Sequence, residues 1–113
     1  PRMYTSADLF VCASTQEGMS NAMLESLSAG LPIVSRKCQG AGELIGDNGI
    51  IVDSERPSDL ADAICRIVSD SDVYARMSDA ARARAAAFTW PNAADKYVDL
   101  YRRILRKGTC TNA

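Results

Sequence analysis

The stretch LFVCASTQEGMSNAMLESLSAGLPIV, residues 9–34, decides the fold class. It starts with a continuous apolar run, residues 9–13, which is typical of a strand buried on both faces of a parallel sheet. A polar loop follows over residues 14–20, and apolar residues then recur at helical spacing. Gly30 is the predicted helix stop, and Pro32 opens a second apolar run two residues later. The stretch therefore predicts a strand, a helix and a second strand.

The rest of the first half continues this alternation. Residues 40–45 predict a loop and a short helix, residues 47–49 a turn, and residues 49–52 a third apolar strand. Strands separated by helices indicate a parallel α/β sheet. Three strands make a narrow sheet, because sheets usually carry about four to six. We therefore interpret residues 1–107 as the later part of a larger, doubly wound Rossmann-like domain, and residues 108–113 as a frayed tail.

The second half predicts three consecutive helices. Pro57 opens the first at its first position, the second runs from about residue 72 to 87, and Thr89 is the expected N-cap of the third. Apolar residues recur at helical spacing along the third helix and form a stripe that includes Tyr97, Tyr101 and Ile104. We expect this stripe to be core, or to pack against a domain outside the chain.

Composition narrows the class of protein. The chain has 113 residues, 47% of them hydrophobic and 24% charged, which is ordinary for one globular domain. The net charge of −1 provides no general attraction for nucleic acid. The absence of histidine and the wide spacing of the cysteines argue against a metal site. We expect reduced, mostly buried thiols at Cys12, Cys38, Cys65 and Cys110. The first residue, Pro1, suggests a fragment or a processed chain.

The loop over residues 14–20 is the first candidate ligand site. Ligands of parallel α/β sheets bind beyond the carboxyl ends of the strands, where this loop is expected. A helix N-terminus presents free backbone N–H groups and a partial positive charge. The backbone N–H groups of Gly18, Met19, Ser20 and Asn21 can therefore cradle a phosphate, and Gly18 has no side chain to block it.

Two glutamates, Glu17 and Glu25, lie eight positions apart at this site. A carboxylate accepts hydrogen bonds from paired hydroxyls, so a sugar or a ribose ring is a natural target for each. A phosphate between two rings that bear hydroxyls describes a nucleotide-sugar. Glutamates near a helix start also favour the helix dipole without any ligand, and the residues alone leave both interpretations open.

An ordered series of motifs carries a family resemblance. The series consists of YTSADLFV (4–11), STQEGMSNAMLES (14–26, with an E-x(7)-E spacing), AGLPIV (29–34), GAGELI (40–45), NGIIV (48–52) and FTW (88–90). In this order the motifs resemble the C-terminal part of retaining glycosyltransferases of the GT-B fold, in the group 1, family 4-like class. The resemblance runs over about residues 4–105.

The resemblance implies a role for each site residue. Glu25 would bind the ribose hydroxyls of the nucleotide. Glu17 would act catalytically, binding hydroxyls of the donor sugar and steadying positive charge at the reacting carbon. The backbone from Gly18 to Asn21, including Met19 and Ser20, would meet the diphosphate and the sugar. The resemblance implies no metal and no cofactor besides the donor, which is a substrate.

We therefore expect this chain to be part of a retaining glycosyltransferase. That enzyme would bind a nucleotide-diphosphate sugar and transfer the sugar to a glycan or lipid-linked acceptor in polysaccharide biosynthesis. The family's phosphate-binding Arg and Lys and its N-terminal acceptor domain would lie upstream of Tyr4, so we expect the fragment alone to be inactive. A sugar-nucleotide epimerase of the same fold and a non-catalytic interaction module are the alternatives. We expect a cytoplasmic protein. The last helix has a basic end at Arg102, Arg103, Arg106 and Lys107, for which two interpretations stay open: complementing the helix C-terminus and solvating its outer face, or peripheral contact with the inner face of the membrane.

Overall fold

The computed structural model describes residues 2–16 and 18–108. In chain order the elements are α1 (Arg2–Ser6), β1 (Phe10–Cys12), α2 (Asn21–Ser28), β2 (Ile33–Arg36), α3 (Ala41–Leu44), β3 (Gly49–Val52), α4 (Pro57–Val68), α5 (Ser71–Ala85) and α6 (Trp90–Gly108). The predicted α/β class is confirmed. The predicted tail lies outside the described residues except for Gly108, the last residue of α6.

The three strands form one parallel sheet in the order β1-β2-β3. Val34 at the centre of β2 pairs with Val11 of β1 on one side and with Ile50 of β3 on the other. The second strand begins at Ile33, one residue later than the predicted start at Pro32, because proline has no N–H to donate to a ladder. Pro32 contributes its carbonyl oxygen instead, which accepts from the Phe10 N–H at 3.0 Å. The central strand is thereby bonded on both sides.

The start of β3 depends on close backbone packing. A Cβ at Gly49 would collide with the carbonyl oxygen of Ile33, so only glycine allows the two strands to meet there. The buried Asn48 closes the turn just before it: its Nδ2 donates to the Leu44 carbonyl at 3.1 Å, and its Oδ1 accepts from the Gly46 N–H at 2.8 Å. This turn aligns α3 with the edge of the sheet.

Two hydrophobic clusters cover the two faces of the sheet. One contains Met23, Leu27, Ile33, Leu44 and Ala81, and therefore joins α2, α3 and α5 to the sheet. The other contains Val34, Val52, Ala63 and Ile67, and joins α4 to the opposite face. The successive residues Ile33 and Val34 of β2 thus point into different clusters, as the period of a strand requires. Val68, the last residue of α4, belongs to neither cluster and is 56% exposed, although its helical spacing with Leu60, Ile64 and Ile67 predicts a buried position.

Helix α2 is held at both ends. Ser20 is its N-cap, and Gly30 follows its last turn with a φ of +76°, which favours glycine. The Ser78 hydroxyl of α5 donates to the Gly30 carbonyl at 2.7 Å, and the Arg82 guanidinium donates to the Ser78 hydroxyl at 3.0 Å. Helix α5 therefore fixes the end of α2 that lies away from the loop.

Helix α1 is an addition to the predicted elements. The first predicted strand covers residues 9–13, and no element was predicted before it. The structure instead forms a helical turn at Arg2–Ser6, in which the Thr5 hydroxyl donates to the Arg2 carbonyl at 2.9 Å. Periodicity cannot reveal so short a helix, because it completes little more than one turn.

Helix α6 has no buried residue among its described side chains. Thr89 caps it as predicted, with its hydroxyl accepting from the Asn92 N–H at 3.3 Å. Its large apolar residues are exposed, however: Tyr97 to 61%, Tyr101 to 60% and Ile104 to 57%. Core packing is therefore the wrong expectation for this stripe, and packing against a domain outside the chain stays a prediction.

Two further observations concern exposure. Cys12 and Cys38 are half-buried and Cys65 is exposed, so the expectation of mostly buried thiols is wrong for these three; Cys110 lies outside the described residues. Within residues 2–16 and 18–108, none of the helices combines the length and the apolar character needed to cross a membrane.

Candidate functional site

The candidate site lies where the chain passes from β1 into α2. The sheet is parallel, so the loop after Cys12 emerges at the carboxyl edge, beside the carboxyl ends of β2 and β3. The structure places Gly18, Met19 and Asn21 at the surface here, with Ser20 half-buried between them. Glu17 lies outside the described residues, so its predicted catalytic role stays a prediction.

The N-terminus of α2 is suited to an anion. Ser20 has extended dihedrals, its hydroxyl accepts from the Met23 N–H at 3.4 Å, and its carbonyl accepts from the Leu24 N–H at 3.1 Å. The first turn of α2 contains no acidic residue, so no carboxylate of that turn offsets the partial positive charge of the helix end. The Ser20 side chain serves the helix cap, which leaves backbone groups of the preceding loop to face a ligand.

Glu25 lies on the exposed side of α2 and has a neighbour that the sequence did not predict. The Tyr4 side chain of α1 hydrogen-bonds with the Glu25 carboxylate. Partial burial raises the pKa of Tyr4, and the charge of Glu25 and the hydrogen bond raise it further. The Tyr4 side chain is thus a neighbour of Glu25 that a ligand bound to this carboxylate would meet.

The loop between β2 and α3 packs directly on the candidate loop. Gly40 is buried, and a Cβ there would collide with the Gly18 carbonyl oxygen and lie 3.1 Å from the Met19 nitrogen. The two loops therefore contact each other backbone to backbone. No spacing rule identifies this contact, since Gly40 and Gly18 belong to different strand–helix connections.

A polar cleft of about 310 Å³ opens beyond β2 and β3, lined by Thr15, Arg36, Lys37 and residues 52–55. The Lys37 ammonium contacts the Asp53 carboxylate at 2.7 Å, and the Arg36 guanidinium lies 3.9 Å from the Glu55 carboxylate. The hydrogen bond to Asp53 and its charge raise the pKa of Lys37. These basic residues are paired within the loops, as an ordinary solvated loop would have them.

An apolar cleft of about 520 Å³ lies on the other side of the candidate loop. Met19, Asn21 and Leu24 form one wall, and Phe88, Trp90 and Tyr97 contribute to the other. Clefts lined by apolar side chains with a few polar groups are typical of ligand sites. The sequence did not predict this cleft, because it pairs the candidate loop with a helix some seventy positions later.

Over residues 2–16 and 18–108, no three side chains of the His, Cys, Asp and Glu types come together as a metal site. The predicted lack of a metal requirement remains a prediction.

Comparison with known proteins identifies the family to which this chain is similar. The family model for glycosyl transferases group 1 matches residues 1–70. A D-inositol 3-phosphate glycosyltransferase of Corynebacterium urealyticum is 32% identical over 104 residues, which are 90% of this chain and 24% of that protein. Spore coat protein SA of Bacillus subtilis is 35% identical over 108 residues, 91% of this chain and 29% of that protein. The chain thus spans under a third of the length of these relatives.

Solved structures agree on the fold. Sucrose-phosphate synthase of Thermosynechococcus elongatus superposes with a TM-score of 0.74 at 26% identity, over 93% of this chain and 27% of that one. The pneumococcal O-GlcNAc transferase GtfA superposes with a TM-score of 0.76 at 21% identity, over 92% of this chain and 22% of that one. The second likeness concerns the fold alone. The family match over residues 1–70, more than half of the chain, shows that this chain belongs to the glycosyl transferases group 1 family, and the superpositions show its fold to be that of a C-terminal part of GT-B.

Proposed function

We propose that this chain binds the nucleotide-diphosphate sugar of a retaining glycosyltransferase. The observation that carries the proposal is the capped N-terminus of α2, which lies at the carboxyl edge of the sheet with Gly18, Met19 and Asn21 exposed and no acidic residue in its first turn. A diphosphate bound there would meet backbone N–H groups and the positive end of the helix dipole.

The roles proposed for the two glutamates follow from the ends of such a ligand. Glu25 lies in the second turn of α2 with an exposed carboxylate, which can accept hydrogen bonds from the two ribose hydroxyls. The Tyr4 hydroxyl would leave Glu25 when the ribose binds. Glu17 would hold hydroxyls of the donor sugar and stabilise positive charge that develops at the anomeric carbon.

The rest of the reaction would require residues outside this chain. The relatives are more than three times as long as the part matched here, and we propose that an N-terminal domain supplies the acceptor site and a basic clamp for the diphosphate. Transfer would proceed with the configuration of the anomeric carbon kept, to a glycan or lipid-linked acceptor in polysaccharide biosynthesis. On its own the chain would bind the donor without transferring the sugar.

The test is an amide NMR titration of the 113-residue chain with UDP, GDP, ADP and their glucose or mannose derivatives. We expect one of the three nucleotides to shift the amide resonances of residues 18–25. Its dissociation constant should be lower than those of the two nucleotides with other bases. Glu25→Gln removes the charge of the proposed ribose ligand and should weaken binding by roughly tenfold or more. Glu43→Gln is the matched control, because Glu43 is an equally exposed glutamate on α3.

Three outcomes would contradict the proposal. Equal binding by the wild type and Glu25→Gln would remove Glu25 from the site. A folded chain that no nucleotide perturbs would favour a non-catalytic module. Release of free sugar and nucleotide by the parent protein without an acceptor would favour the epimerase. The anomeric configuration of the product made by the parent enzyme, read from its NMR coupling constant, tests the retaining mechanism.

A cytoplasmic location with peripheral membrane contact completes the proposal. Arg102 and Arg103 lie exposed on α6, beside its exposed apolar residues, which is the pattern of a helix that rests on an anionic surface. Sedimentation with phosphatidylglycerol vesicles tests this, and Arg102→Gln/Arg103→Gln should reduce the bound fraction. Equal sedimentation of both proteins would contradict it.

A further inference from the structure

The buried glycine in the loop between β2 and α3 faces the donor loop with no space for a side chain. A Cβ at Gly40 would collide with the carbonyl oxygen of Gly18 and approach its carbonyl carbon to 2.7 Å. The atoms it would meet belong to backbone, which cannot rotate away as the end of a long side chain can. Two residues on, Gly42 offers a contrast, because a Cβ there meets nothing within 4 Å.

The need for glycine at position 40 is a matter of space rather than of dihedral angles. Its φ of −101° and ψ of −13° are open to any L residue. A side chain at Gly40 would therefore be compatible with its own backbone and would strain only the contact with Gly18.

The loop that contains Gly40 is the better anchored of the two. The Gly40 carbonyl accepts from the Glu43 N–H at 3.3 Å, and the Cys38 carbonyl accepts from the Ala41 N–H at 3.2 Å. Ala41 and Leu44 next to it are buried in the core, whereas Gly18 and Met19 are exposed. A collision would therefore displace residues 18–19 more readily than it would displace Gly40.

We propose that Gly40 is a positioning residue of the donor site, whose missing side chain lets the β2–α3 loop set the location of the Gly18 and Met19 backbone. Where it concerns a ligand, this rests on the proposed function, since these residues would meet the diphosphate just before the N-cap Ser20. The contact itself does not depend on any ligand. A displacement of about 1 Å in such a group is enough to cost a large factor in a precisely oriented site.

The experiment compares Gly40→Ala with Gly42→Ala, which adds the same methyl group two positions further on, in α3. Without ligand, we expect Gly40→Ala to shift the amide resonances of Gly18 and Met19, and Gly42→Ala to leave them in place. Equal effects of the two variants on these amides would overturn the proposal. The unfolding midpoint of each variant shows whether the core is retained.

A second experiment measures how tightly each variant binds the nucleoside diphosphate that binds the wild type, and how tightly it binds the corresponding monophosphate. Gly40→Ala should weaken the diphosphate by about tenfold and the monophosphate much less, because only the diphosphate reaches the displaced loop. A general loss of structure would weaken both alike. Equal weakening in a folded Gly40→Ala, or no weakening at all, would overturn the positioning role.

Two further readouts separate this proposal from the proposed function. If no nucleotide binds the wild type, the proposed donor site fails, while the ligand-free comparison still decides whether Gly40 positions the loop. If Gly40→Ala does not fold, two measurements on the wild type test the proposal. We expect a nuclear Overhauser effect from the Gly40 Hα to the Met19 amide, and we expect nucleotide binding to shift the Gly40 amide resonance. Absence of the first would overturn the loop contact, and absence of the second the coupling to the ligand.

Discussion

The apolar residues of β2 and those of α6 are equally regular in the sequence, yet β2 is buried and α6 is exposed. Ile33 and Val34 are fully buried between two clusters, whereas Tyr101 and Ile104 keep more than half of their surface in contact with solvent. The apolar pattern tells which side of an element avoids water, but not which partner covers it. That partner exists within the chain for β2 and is absent for α6 among the described residues.

The largest expected effect comes from the same substitution made in both regions. Ile33→Ala removes fully buried methyl and methylene groups and should lower the free energy of unfolding by about 2–5 kcal/mol. Ile104→Ala removes the same groups from a 57% exposed site and should change it by less than about 0.5 kcal/mol. Urea unfolding of both variants measures the difference. Similar losses would mean that the apolar face of α6 is packed in solution.

A smaller effect is expected where α5 meets the end of α2. Ser78→Ala leaves the Gly30 carbonyl without the hydroxyl that now donates to it, and should cost about 1–3 kcal/mol. Ser28→Ala is the matched control: its hydroxyl bonds only to Leu24 of its own exposed helix turn, so we expect a change below about 0.5 kcal/mol. Thermal unfolding of the pair measures both. An equal response would show that the α5 contact adds nothing to stability.

Polar residues on the exposed face of α6 should affect association more than stability. Tyr97 and Tyr101 form an exposed pair with ring centroids 6.5 Å apart. Tyr97→Ser/Tyr101→Ser should leave the unfolding free energy within about 1 kcal/mol and reduce self-association, because the apolar patch becomes smaller. Sedimentation velocity at several concentrations measures this. A double variant that fails to fold would contradict the assignment of α6 as an uncovered helix.

The smallest effect concerns the ion pair between Lys37 and Asp53. The pKa of Lys37 is raised above its ordinary value of 10.5, so its contribution to stability is present below that value and lost as the pH rises through the folded pKa. Lys37→Met should therefore differ from the wild type near pH 8, and the difference should shrink above about pH 10.5. Unfolding free energies across this range provide the check. A constant difference would mean that the charge of Lys37 is not responsible for the effect.

The parts of the fold that local chemistry controls could be predicted. The apolar run before Ser14, the glycine at position 30 and the N-cap of α6 all act within a few residues of themselves, and all three were predicted. The N-cap of α2 at Ser20 was not predicted. The start of β2 was placed one residue early because Pro32 takes part in the ladder as an acceptor alone. Element boundaries depend on such single hydrogen bonds.

The contacts that build the candidate site could be predicted only in part. The loop at residues 18–21 followed from the parallel sheet, since the carboxyl edge is a property of the topology. The contacts of Tyr4 with Glu25 and of Gly40 with Gly18 join residues more than twenty positions apart, and no periodicity records them. Glu17 lies outside the described residues, so its role stays a prediction.

The bond from Ser78 to the Gly30 carbonyl has a consequence for where this protein can be shortened. The family match ends at residue 70, and every proposed donor-binding residue precedes that point. Helix α5, with Ser78 and Arg82, begins after it and holds the far end of α2. A chain ended at residue 70 would therefore retain the whole donor motif but lose the contacts that α5 makes with the end of α2 and with the core cluster beneath it. The shortest chain that preserves the site must therefore include α5, because Ser78 holds the end of α2 that lies away from the donor motif.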